Sequence, residues 1–257
     1  MTNESASSGL ASVTNALRLL SMLSSQPDLR VVDVSRQLGI APSTSHRLLT
    51  CLREEGFMQQ TRTSKRYSVG PELLRLARHF SSQNSLERLA RPHLVSLCRL
   101  VGEAVNLQIL VGHEVLCLDA VVEDRHDLHV KRIAGRRVAA HASAAGKVLL
   151  AAMPLTARQA LYSEHGLPSI TSRTIIDPDA FEEEMNHVRN AGFAINLGER
   201  EDGVHAVAVS VLDLNDTPMA ALAVAAPAVR LPKARVPGLV RDLRRTRAAI
   251  TAGYFAC

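Results

Sequence analysis

The stretch Leu38-Gly39-Ile40-Ala41-Pro42 constrains this chain more than any other. Gly39 suits a left-handed turn that ends one helix. Pro42 suits the first turn of the next, where its missing N–H would be unpaired anyway. Two short helices must therefore meet across a tight corner. Before it, Val31, Val34 and Leu38 share one helical face, and Leu10, Val13, Leu17 and Leu20 mark an earlier helix that Gln26-Pro27-Asp28 breaks. After it, the helix from Pro42 runs to about Glu55 and stops at Gly56. Phe57–Gln60 and Tyr67–Val69 then read as two short strands around the polar, basic turn Thr61–Arg66. Helix, helix, tight turn, helix and basic hairpin in that order describe a winged helix-turn-helix.

The third helix can be tested by its spacing. At 100° per residue, Ser45, Leu48, Leu49 and Leu52 fall on one side. Ser43, Arg47 and Thr50 fall opposite, with His46 at the edge. Short hydroxyls, an imidazole and a forked guanidinium suit phosphates and base edges in a major groove. Candidate DNA contacts are Ser43, Thr44, Ser45, His46, Arg47 and Thr50 on this helix. Arg62, Lys65 and Arg66 on the hairpin would add backbone or minor-groove contacts. An ordinary three-helix bundle also has a polar outer face; the ordered set of elements is what favours nucleic acid. Charge agrees. Residues 1–80 hold 10 Lys/Arg against 6 Asp/Glu, and the remainder holds 20 against 19.

Residues 81–257 read as one α/β body. Strands are expected at Val105–Leu110, Val115–Val122, Phe193–Leu197, Val204–Leu212 and Met219–Ala226. Helices are expected at Pro92–Val101, Ser143–Ala152, Ala157–His165, Asp179–Ala191 and Lys233–Ala252. Only five Phe and three Tyr, and no Trp, are available, so the core must be Leu, Val, Ile and Ala. In Val204–Leu212 one face carries His205, Val207, Val209 and Val211, the other Ala206, Ala208 and Ser210. The following strand repeats the pattern with Ala221, Ala223 and Ala225. A row of alanines leaves room above a sheet, either for a closely packed helix or for a small ligand.

No catalytic motif survives scrutiny. His141-Ala-Ser-Ala-Ala-Gly146-Lys147-Val148 resembles a P-loop but lacks its first Gly and its Ser/Thr after Lys. There is no GxSxG elbow for Ser143 with His141, and no HExxH. His126 and His129 lack a third ligand near in sequence, and Cys98 and Cys117 read as core. No metal, cofactor or catalytic residue is expected. The cysteines have no CxxC spacing and read as reduced thiols in cytoplasm. The longest charge-free run in the C-terminal third, Thr217–Val229, is too short for a membrane span, which needs ~20 residues.

Residues 10–76 resemble the N-terminal domain of the IclR family of bacterial transcription regulators. The carrying runs are Val13–Leu20, Leu38–Thr44, His46–Leu49, Leu52–Gly56 and Tyr67–Gly70. His141–Ala151, Ile175, Gly192–Ile195 and Gly198–Val204 are similar to the family's effector-domain signature. The resemblance implies an α+β chain: a winged helix-turn-helix followed by a GAF-like α/β effector-binding domain with a central antiparallel sheet. It also implies homodimers or homotetramers on double-stranded operator DNA. Its pocket positions fall on Val130, Ala144, Ala145, Asn196, Ala206, Ala223 and Ala225. Ala206, Ala223 and Ala225 carry no hydroxyl or thiol, which favours a larger, partly apolar acid over a tiny hydrophilic one. Asn196 and the backbone N–H groups near Ala144–Gly146 would hold its polar end, and Arg200 could pair a carboxylate.

The expected layout is a disordered tail at 1–9, a DNA-binding domain at 10–71, a linker helix at 72–85 and an effector domain at 86–257. The expected function is a cytoplasmic regulator whose operator affinity a small organic or aromatic acid modulates, with no membrane partner. The rival is an enzyme or ligand-binding protein that acts on a small acid and carries an accessory three-helix domain.

Overall fold

The computed structural model describes residues 4–23, 26–61, 63–76, 85–122, 133–213 and 215–255. The chain divides into two compact units, Met1–Asn84 and Ser85–Cys257.

In the first unit, α1 (Glu4–Met22), α2 (Val31–Leu38) and α3 (Pro42–Glu54) combine with β1 (Asp28–Leu29), β2 (Met58–Gln60) and β3 (Tyr67–Val69). Gly39 closes α2 at φ +64, and its N–H donates to the Ser35 carbonyl. Pro42 opens α3. The corner is therefore set by two local backbone preferences. The strands form one antiparallel sheet in the order β1-β3-β2, with Leu29 opposite Tyr67 and Met58 opposite Val69. Leu19, Leu29, Val34, Leu49, Met58 and Tyr67 make the buried core. Two expectations change. Strand β1 lies in the segment read only as a helix breaker, and the supposedly frayed tail is helical from Glu4.

The second unit is a six-stranded antiparallel sheet in the order β6-β5-β4-β9-β8-β7. The strands are β4 (Ala104–Val111), β5 (Glu114–Val121), β6 (Arg137–Ala139), β7 (Ala194–Leu197), β8 (Val204–Leu212) and β9 (Pro218–Pro227). One face carries α4 (Ser85–Val101) and α8 (Val236–Phe255); Leu94, Leu97, Leu239 and Leu243 pack there on Val207, Val209, Leu222 and Val224. The other face carries α5 (Ala144–Ala151) and α7 (Pro178–Ala191), with α6 (Leu155–His165) between them in sequence. Here Ala144, Ala145 and Val148 pack on Ala208, Ala221 and Ala223. The alternation read from the sequence thus separates a branched face from an alanine face. Helix α5 folds back tightly on the turn that leads into it, so that a Cβ on Gly146 would stand 2.0 Å from the Ala140 carbonyl oxygen. Only Gly fits that approach. The pair His126/His129, residues 77–84 of the expected linker at 72–85, and Cys257 lie outside the described residues.

Candidate functional site

The first candidate site is the outer face of α3. Ser43, Thr44, His46 and Arg47 are exposed along it, while Leu49 is fully buried beneath. Ser43 and Thr44 sit in the first turn, where backbone N–H groups have no partner inside the helix and suit an anion. Two candidates need correction. Ser45 is fully buried, and its hydroxyl donates to the Ala41 carbonyl at 3.2 Å. A serine can hide on the apolar side by bonding one turn back. Thr50 is half-buried, and its hydroxyl is sealed from solvent. On the hairpin, Lys65 is exposed at φ +56, and the Arg66 guanidinium is turned onto the Asp28 carboxylate. Arg62 lies outside the described residues.

The second candidate site is a cavity over the alanine face of the sheet. Its floor is Ala206, Ala223 and Ala225, and its roof is the start of α5, with Ser143, Ala144 and Ala145. Asn196 closes one side. Six of the seven expected pocket positions therefore come together; Val130 lies outside the described residues. The cavity is a narrow slot of about 40 Å³, well under the ~300–1,000 Å³ usual for small-molecule sites, so an organic ligand must widen it on entry. A wider cleft of about 580 Å³ on the same measure lies against β7 and α7, but Lys147 and Glu184 on its wall are already paired with each other.

The roof is built to leave donors free. Ser143 caps α5, and its Oγ accepts from the Gly146 N–H at 2.9 Å. The Lys147 N–H donates to the Ser143 carbonyl at 2.9 Å. The N–H groups of Ala144 and Ala145 are the remaining first-turn donors, without intrahelical acceptors, at the positive end of the helix. Both residues are buried and line the slot. Asn196 does a different job from the one expected. Its Nδ2 donates to the Ala142 carbonyl, and its Oδ1 accepts from the Gly198 and Glu199 N–H groups, each at 3.0 Å. The amide is committed to positioning the backbone around the roof. Arg200 lines the slot and pairs loosely with Glu201 at 3.4 Å, so it is the cation available to an acid there.

Asn106 and Gln108 on β4 also line the slot and were missed. Their signal was present: both are polar residues alternating with Val105 and Leu107 in a strand otherwise apolar. That pattern marks a strand with one polar-lined face.

The P-loop-like and hydrolase-like features resolve into structure. Lys147 is 1% exposed and donates to Glu199 Oε1 at 2.6 Å, and to Glu184 Oε1 and the Ile195 carbonyl at 3.0 Å each. Burial pushes the Glu199 carboxyl above its ordinary range, against the pull of Lys147. Burial likewise holds the His141 pKa down, and its Nε2 bonds the Pro168 carbonyl at 3.0 Å. Ser143 is occupied as a helix cap. Each member of the suspected dyad is thus engaged elsewhere. No group of three or more His, Cys, Asp or Glu among the described residues is placed to hold a metal. No described helix is long and apolar enough to cross a membrane.

Comparison with known proteins now bears on these two sites. Residues 12–62 match the family model of the IclR helix-turn-helix domain, and residues 79–252 match that of the bacterial transcriptional regulator IclR C-terminal domain. The HTH-type transcriptional regulator BhcR of Paracoccus denitrificans is 32% identical over 91% of this chain and 83% of its own. The glycerol operon regulatory protein of Streptomyces coelicolor is 31% identical over 86% and 87% respectively. In fold, the chain superimposes on an IclR transcriptional regulator from Alicyclobacillus acidocaldarius with a TM-score of 0.82 at 24% identity, covering 95% of this chain and 98% of that one. An IclR homolog from Microbacterium hydrocarbonoxydans, solved in complex with 4-hydroxybenzoate, gives 0.82 at 24% identity over 96% and 99%. Both family matches, which together span nearly the whole chain, and relatives above 30% identity make this chain a member of the IclR family of transcriptional regulators.

Proposed function

We propose that the exposed side of α3 enters the major groove of operator DNA, with Arg47 reading a guanine edge and Ser43, Thr44 and His46 on adjacent bases and phosphates. Lys65, with Arg62 and Arg66, contributes backbone charge. The working form is a cytoplasmic homodimer or homotetramer; Val13 and Leu17, 58% and 60% exposed on α1, offer a second copy an apolar surface. A two-fold pair of reading helices addresses half-sites roughly 34 Å apart or a multiple of that.

The effector is a small organic acid with an apolar body, aromatic in its simplest form. The observation that carries this is the slot itself: an alanine floor under two helix-start N–H groups that have no intrahelical acceptor, with Arg200 at hand. Such a site accepts a carboxylate at one end and a flat apolar group on its floor. The 4-hydroxybenzoate bound to the Microbacterium relative supports the same ligand class. Binding shifts operator affinity by a coupling of ~1–3 kcal/mol. The chain acts as a regulator and not as an enzyme, because His141, Ser143 and Lys147 are all spent on structure.

The test is mobility shift of the full-length protein on its own upstream intergenic DNA, with and without aromatic acids, across a salt series. Specific retention that an acid alters several-fold and that salt weakens is the expected result. Retention indifferent to every acid, or turnover of an acid, would overturn the reading.

A further inference from the structure

We propose that Gln108 is a specificity-determining residue of the slot, and that it selects acids carrying a hydroxyl group away from the carboxylate. The inference rests on the effector reading above. Gln108 lines the slot from β4 and is only 4% exposed. Its Oε1 is buried and has no hydrogen-bond partner among the described residues. A buried amide oxygen left unmet is unfavourable, so such an atom beside a ligand cavity points to a ligand group that meets it.

Two polar neighbours in the wall are already committed. The Asn196 amide is spent on Ala142, Gly198 and Glu199, and Ser143 is spent on the helix cap. The strand register also places Gln108 at one end of the floor. It stands opposite Ala221; the next row inward holds Asn106 and Ala223, and the row after that Ala225 and Ala206. Successive rows are two residues, or roughly 7 Å, apart. Val204 and the preceding loop, with Arg200, lie towards the far end. An acid held from the Arg200 side and lying along the alanines therefore presents its other end to Gln108. A hydroxyl answers either atom of the Gln108 amide, because it both donates and accepts. A bare C–H edge leaves the oxygen unmet, which is how a buried polar wall rejects an analogue that lacks the group.

The experiment is titration calorimetry on the full-length protein with benzoate and with 2-, 3- and 4-hydroxybenzoate. Wild type is compared with Gln108→Met and Gln108→Leu, each checked for an unchanged melt. At least one hydroxy isomer should bind wild type roughly tenfold or more tighter than benzoate. Both variants should keep benzoate binding and cut that advantage to under about threefold. Wild type binding all four acids alike would overturn the role of Gln108 and leave the effector reading standing. Variants that keep the full preference would do the same. Failure of wild type to bind any of the four would overturn both. If neither variant folds, Gln108→Asn, which keeps an amide but draws it back by one methylene, takes their place, and an undiminished preference there overturns the role of Gln108.

Discussion

Replacing Lys147 with Met should destabilise the second unit strongly and in a pH-dependent way. Met keeps the length of the side chain and removes its charge. Glu199, 7% exposed, would then lose the ammonium 2.6 Å from its Oε1, and the Ile195 carbonyl would lose a donor at 3.0 Å. Removing one partner of a buried ion pair costs about 3–5 kcal/mol, because the other charge stays behind. In a unit the size of Ser85–Cys257, each kcal/mol moves Tm by roughly 2–4 °C, so the loss should be on the order of 6–20 °C near neutral pH. The pH dependence follows from Glu199. Burial already raises its pKa, and Lys147 opposes that rise. A raised carboxyl contributes its stability below its unfolded pKa of about 4.5 and loses it as pH climbs through the folded value. Without Lys147 the folded value climbs further, so the deficit of the variant should be smaller near pH 5 than at about pH 7.5. Scanning calorimetry of the full chain at both pH values reads this directly. Adding Glu199→Gln to the variant should recover part of the loss at the higher pH. A drop of under about 2 °C, or an equal drop at both pH values, would refute the argument that this cluster is a buried, mutually dependent charge set.

Arg47→Ala should remove ~1–3 kcal/mol of preference for operator over random DNA, measured by competition mobility shift. Lys65→Ala should instead weaken both kinds of DNA alike and lower the salt slope by about one. Ala206→Leu should fill the slot, abolishing the effect of any acid on DNA retention while leaving retention itself near wild type. Glu103 is buried, which alone would raise its pKa, but Arg230 and Arg235 outweigh that and hold it below its ordinary value. Its contribution to stability is therefore present above about pH 4.5 and is lost as pH falls through the folded value. Glu103→Gln should flatten the acid side of the Tm-against-pH curve, read by circular dichroism.

What could be seen in the sequence was what local chemistry dictates. The corner between α2 and α3 was visible because Gly39 and Pro42 act on their own backbone. The alanine floor was visible because β8 and β9 alternate strictly, so Ala206, Ala223 and Ala225 had to share a face. What escaped depends on partners far along the chain. Strands β1 and β6, of two and three residues, exist only because β3 and β5 lie beside them. Lys147 looked like half of a phosphate loop because its partners, Glu184 and Glu199, are 37 and 52 residues away. Ser45 was counted as a contact although its spacing already placed it on the side of Leu48, Leu49 and Leu52, where its hydroxyl bonds the Ala41 carbonyl. Asn106 and Gln108 escaped because the strand Val105–Leu110 was placed without its two faces being separated, although alternate positions already differed.

The small sheet of the first unit has a consequence for how switching must operate. Strand β3 is clasped on both edges, by β1 and by β2, and Tyr67 at its start is 1% exposed. The hairpin is thus stapled to the same core that seats Leu49 of α3. A head built this way arrives at the duplex already shaped, and little freedom is surrendered on contact. A metabolite that alters transcription through such a head has little slack to exploit within it; in the proposed dimer its leverage comes from how the two rigid heads are spaced for one stretch of duplex.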